Sequence, residues 1–109
     1  MKEEYDIEVY TTESGKEPFN EWLESLEDRK TKVAIIMRIQ RLRTGNLGDF
    51  KSFDGLYELR IQLGPGYRIY CSKIGKQLVL LLGGGDKGSQ KRDIKKCKEY
   101  LEDHKRRVL

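Results

Sequence analysis

With 109 residues, 37% of them hydrophobic and 37% charged, the chain has apolar material for one small core and not for two. No apolar run approaches the roughly 20 residues that cross a bilayer, and the N-terminus carries no cleavable signal pattern, so the sequence predicts neither a membrane nor a secreted protein. The net charge of +4 averages two unlike parts: residues 1–28 hold 2 basic and 10 acidic side chains, whereas residues 29–109 hold 20 basic and 8 acidic.

Tyr5-Asp6-Ile7-Glu8-Val9-Tyr10 alternates apolar and acidic residues, the pattern of a strand with one buried face. Pro18 then opens a helix where its missing N–H costs least. Phe19, Trp22, Leu23 and Leu26 follow at helical spacing. Trp22 offers a base-stacking ring, but its place in this stripe assigns it to the core. A second helix is predicted from about Asp28, its N-cap, to Thr44, with Gly45 or Asn46 as the left-handed stop. Ile35, Ile36, Ile39 and Leu42 are expected on one face, and Lys30, Arg38 and Arg41 on another. The short link between the two helices predicts an antiparallel helical hairpin.

Residues 45–55 read as a connection. Leu59, Ile61 and Leu63 then alternate with Glu58, Arg60 and Gln62. Gly64-Pro65-Gly66 forms a turn, and Tyr67 to Lys73 alternates again. Gln77 to Leu82 is apolar through its middle, as a central strand covered on both faces would be. Gly83-Gly84-Gly85 is expected to end that strand. Ser89 is expected to cap a last helix that buries Ile94, Cys97 and Leu101. The predicted order is β-α-α-β-β-β-α, an α+β domain with helices against one face of a small, twisted, mostly antiparallel sheet.

Strand parity places Glu58, Arg60, Arg68 and Tyr70 on one sheet face, with Lys51 and Lys87 flanking it. Arginine forks suit phosphate oxygens, and tyrosine gives a flat stacking platform. The plainer alternative is that Glu58 pairs with one arginine on a solvated sheet. Basic excess of this kind points to a phosphate-rich or acidic partner. Gly83 to Ser89 departs from the phosphate-loop pattern because Lys87 precedes Gly88. Cys71 and Cys97 match no metal-site spacing, and His104, the one histidine, lies in the charged last helix. No motif for metal, flavin, nicotinamide or serine-hydrolase chemistry occurs, so neither metal nor cofactor is expected. A reducing cytoplasm is the expected compartment.

Several strings occur in a characteristic order: Pro18-Phe19-x-x-Trp22-Leu23-x-x-Leu26, Arg38-Ile39-x-Arg41-Leu42, and Gly45-Asn46-x-Gly48-Asp49-x-Lys51. They continue with Glu58-Leu59-Arg60-Ile61, Gly64-Pro65-Gly66-Tyr67-Arg68-Ile69-Tyr70, and Gly84-x-Asp86-Lys87-x-Ser89-Gln90. Together these resemble the phage-derived addiction-module killer proteins, a HigB-like branch of the RelE/ParE toxin superfamily, over about Tyr5 to Tyr100. The resemblance implies a RelE-like fold and the toxin of a type II toxin–antitoxin pair. It also implies a cognate helix-turn-helix antitoxin, a hetero-oligomer with it, and mRNA on the ribosome as substrate. RelE-like members cut mRNA by attack of a 2′-OH on the adjacent phosphate. Carried over by position, Lys51 is the general base, Arg60 and Arg68 hold the phosphate, and Lys87 stands near the leaving oxygen. Tyr70, Glu58 and Lys73 complete the implied RNA-binding set. Gln90 to Asp93 stands where relatives carry a tyrosine or histidine. ParE-like relatives act on gyrase without a nuclease site, and a non-catalytic basic binding module is the other alternative.

Overall fold

The computed structural model describes residues 4–108. It is an α+β fold with the elements β1 (Asp6–Val9), α1 (Pro18–Ser25), α2 (Arg29–Arg43), β2 (Phe50–Phe53), β3 (Leu56–Ile61), β4 (Tyr67–Ile74), β5 (Leu78–Asp86), a 3-10 turn (Lys87–Ser89) and α3 (Gln90–Arg107). The five strands form one sheet in the order β1-β5-β4-β3-β2. β1 runs parallel to β5, and every other neighbouring pair is antiparallel. The central position expected of β5 holds, as does the β3-β4-β5 meander.

One strand beyond the expected set is present. Phe50-Lys51-Ser52-Phe53 falls within the stretch read as a connection, yet it pairs with β3 across Asp54-Gly55. Both turn residues have positive φ, 50° and 83°, as a two-residue hairpin requires. Most of β2 is exposed at the sheet edge, so it lacks the buried alternation that marks an interior strand. β3 correspondingly starts at Leu56 and ends at Ile61, leaving Leu63 exposed in the turn.

The glycine run does not end β5, which continues to Asp86. A bulge between Tyr70 and Cys71 shifts the register, after which Gly83, Gly84 and Gly85 pair with Tyr70, Ile69 and Arg68. These positions are glycine because neighbours crowd both faces. A Cβ at Gly84 would enter the Trp22 ring, one at Gly83 would lie 2.9 Å from Cys97 Sγ, and one at Gly85 would strike the Asp93 carboxylate.

Helices cover both faces of the sheet, not one. On one side Phe19, Ile35, Leu42, Leu59, Ile69 and Leu81 join α1 and α2 to the sheet, with Trp22 packed against them. On the other, Leu56, Tyr70, Leu80, Leu82, Cys97 and Leu101 bury α3. Trp22 thus belongs to the core, between the rings of Phe19 and Tyr67.

α2 is capped as expected. The Asp28 carboxylate accepts from Lys30 N at 3.2 Å and from Thr31 Oγ1 at 2.8 Å. At its other end, Gly45 at φ 89° closes the helix, with Gly45 N–H on Leu42 O and Asn46 N–H on Arg41 O. Its buried side differs from the expected one, consisting of Thr31, Ile35, Arg38 and Leu42, whereas Ile36 is 47% exposed. Arg38, expected on a solvated basic face, is 3% exposed and donates through Nη2 to the carbonyls of Leu47 and Asp49. Ser89 makes no side-chain cap to α3. Asp86 instead caps the 3-10 turn by accepting from Ser89 N at 3.1 Å. Among the described residues no helix is long and apolar enough to cross a membrane.

Candidate functional site

The site grows from strand register. Residues directly opposite in an antiparallel pair project to the same face. Lys51 stands opposite Glu58, and Glu58 opposite Tyr70, forming one row across β2, β3 and β4. Arg60 and Arg68 form the next row and end at Gly85 on β5. The shared face expected for Glu58, Arg60, Arg68 and Tyr70 is therefore present, with Lys51 at its open edge. Lys87 begins the 3-10 turn directly after Asp86, which pairs with Tyr67. It is exposed at the end of the sheet where Arg68 stands.

Glu58 is the centre of the arrangement and has no exposed surface. Its Oε1 lies 3.5 Å from Arg60 Nε, and its Oε2 lies 3.7 Å from Arg68 Nε. Oε2 also accepts a hydrogen bond of 2.9 Å from Gln90 Nε2, on the first turn of α3. Arg68 Nη1 donates to Gly66 O at 2.8 Å, which fixes the plane of its guanidinium. Arg60 keeps 34% of its side chain exposed and Arg68 keeps 12%, so both can meet a ligand while Glu58 holds them from behind.

Four buried atoms here have no hydrogen-bond partner: Glu58 Oε1, Arg60 Nε, Arg68 Nε and Tyr70 Oη. A buried polar group left unsatisfied costs about 1–3 kcal/mol. All four lie at the Glu58 carboxylate, where ion pairing with Arg60 and Arg68 offsets part of that cost. Burial, then the adjacent Glu58 charge, raises the Tyr70 pKa, so the phenol keeps its proton.

Three residues implied as RNA contacts are placed otherwise. Tyr70 is fully buried between the sheet and α3, so neither ring face is open to a base. Glu58 presents no surface to solvent and instead orients the arginines. Lys73 projects from the opposite side of β4, with Nζ 5.1 Å from the centre of the Tyr5 ring. Gln90 and Asp93 join the site without having been assigned to it. Asp93 accepts from the Ser89 hydroxyl and sits against Gly85. Only the departure at the start of the last helix marked these positions in the sequence.

Among the described residues, no three His, Cys, Asp or Glu side chains are grouped to hold a metal ion. Cys71 and Cys97 are free, buried thiols, each pushed up to about 12 mainly by burial.

No family model matches the chain. It is 49% identical over 81 residues to a protein of Haemophilus influenzae described only as uncharacterized, an alignment spanning 73% of this chain and 82% of that protein. At that identity and coverage, the chain belongs to the same family as this Haemophilus protein.

Proposed function

We propose that the protein is the toxin of a type II toxin–antitoxin pair and acts in the cytoplasm as a metal-independent, ribosome-dependent mRNA endoribonuclease of RelE/HigB type. The observation that carries the reading is the buried Glu58 carboxylate holding Arg60 and Arg68 side by side on one sheet face. In the proposed reaction the 2′-OH of one nucleotide attacks the adjacent phosphorus and the bond to the 5′-oxygen breaks. The products are a 2′,3′-cyclic phosphate and a free 5′-OH. Lys51 accepts the 2′-OH proton, and Lys87 stands where the departing oxygen takes one up. Arg60 and Arg68 stabilise the charge gathering on the phosphoryl oxygens, the contribution that preorganised donors supply best. Their fixed orientation also favours in-line geometry.

A helix-turn-helix antitoxin that covers this basic face by charge complementarity is the proposed partner. Mapping mRNA 5′ ends after brief induction tests the reading. Translation-dependent, in-frame cuts are expected. DNA damage without such cuts would replace it with a gyrase-directed toxin on the same fold.

A further inference from the structure

A second basic surface lies around the end of the sheet from Glu58. β2 starts only at Phe50, opposite Leu59, and beyond it the β3 edge meets just the Asp49 carbonyl, through Arg60 N–H at 2.9 Å. Between this free end and the C-terminal half of α2 runs a cleft of about 280 Å³ whose polar lining is Arg38, Arg41, Arg60, Asn46, Asp49 and Gln62.

Three arginines and one aspartate line the cleft, and the Asp49 carboxylate already accepts from Gln62 Nε2 at 3.1 Å. Among the described residues neither Arg38 nor Arg41 has an ion-pair partner. Arg38 is locked by two neutral carbonyls, which fix its position without pairing its charge. Gly48, at φ 60°, permits this, since a Cβ there would lie 2.8 Å from Arg38 Nη2. Burial first, and Arg41 second, push the Arg38 pKa down, with Asp49 opposing them, so the pair is short of negative charge. A polar, arginine-lined space of this size suits a phosphate group with part of its sugar and does not suit an apolar ligand. Arg60 borders both places, because its Nε lies 3.5 Å from Glu58 Oε1 while the residue also lines the cleft.

We infer that this cleft is a second phosphodiester subsite, holding the phosphate next to the one at Arg68 on the same single strand, with Arg60 shared between the two. The identity of the strand as RNA rests on the function proposed above; the anion subsite itself rests on the cleft.

The test uses the full chain and two probes that lack the attacking 2′-OH: 2′-O-methyl UpU, with one phosphodiester, and 2′-O-methyl UpUpU, with two. In amide NMR titrations, UpUpU is expected to shift Gly48 and Gln62 together with Arg68 and Gly85. UpU is expected to shift chiefly Arg68 and Gly85. The surface variant Arg41→Ala should weaken UpUpU binding about three- to tenfold and lower its salt dependence by about one counterion. It should leave UpU binding unchanged, and Arg41→Lys should restore most of the loss. Unmoved Gly48 and Gln62 signals, or an Arg41→Ala loss that is absent or equal for both probes, would overturn the subsite. Cellular mRNA mapping reads separately: missing cuts with the UpUpU shifts intact would sink the nuclease and leave the subsite, and the reverse pattern would do the opposite.

Discussion

The side-chain amide of Gln90 donates to Glu58 Oε2 at 2.9 Å, tying the first turn of α3 to the middle of β3. That bond closes the site on one side, while Arg60 and Arg68 approach the same carboxylate on the other. The helix thereby helps decide where two arginines on the sheet point.

Arg68→Ala removes a guanidinium whose direction is fixed by Gly66 O and Glu58. Loss of one preorganised donor to a developing charge lowers a rate about 100-fold or more. Under the proposed toxin function, cells expressing this variant, or Lys51→Ala, should resume growth while circular dichroism shows the fold unchanged. Full toxicity from soluble protein of both variants would remove these residues from the mechanism.

Glu58→Ala leaves two guanidinium groups side by side without their carboxylate. Opening a buried ion pair costs about 3–5 kcal/mol, and since Arg60 is a third exposed we expect about 2–3 kcal/mol. Gln90→Ala removes one donor to a carboxylate that keeps both arginines and should cost about 1.5 kcal/mol. Urea unfolding of the two variants checks both the size and the order of these effects.

Gly84→Ala should destabilise the protein by about 2–3 kcal/mol, because its methyl would enter the space of the Trp22 ring. Gly75→Ala is the control for tight packing, since no atom lies within 4 Å of a Cβ built there. Its positive φ of 65° still carries a backbone penalty of about 1 kcal/mol. Thermal melts should therefore rank Gly84→Ala as the more damaging change.

Tyr10 joins β1 to the end of α3 by donating to Asp103, which also meets Arg107. The Tyr10 hydrogen bond, followed by Arg107, lowers the Asp103 pKa, so its contribution is present above the ordinary aspartate pKa and is lost on acidification below it. Burial, then Asp103, raises Tyr10 to about 12, so its contribution is present below pH 10 and is lost as the pH rises towards 12. Tyr10→Phe should flatten both flanks of the melting temperature against pH. A profile that keeps both flanks would count against this pair.

The alternation of Leu59 and Ile61 with Glu58 and Arg60 was enough to place the arginines on one face, because strand parity is local. Asp28 and Gly45 were legible for the same reason, since each cap is made within a few residues. Phe50 to Phe53 was missed because an exposed edge strand has no buried alternation, although the adjacent Asp54-Gly55 carries the hairpin signal. Gly83 to Gly85 misled because what requires glycine there comes from Trp22, Cys97 and Asp93, far away in the chain. Arg38 misled because its partners are backbone carbonyls, which leave no mark in residue type. Tyr70 sits on the expected face, but a helix covers that part of it, and the covering was not visible from the strands alone.

The parallel pairing of β1 with β5 sets a timetable for the molecule's birth on the ribosome. Ile7 has Val79 as its partner, 72 residues further on, so the sheet cannot close until β5 has been made. Pairings this distant in sequence form slowly, because a long loop must be ordered before any contact rewards it. Gln90 follows later still. A nascent chain therefore holds Arg60 without the Arg68, Gly85 and Gln90 that complete its setting until the first turn of α3 has been made.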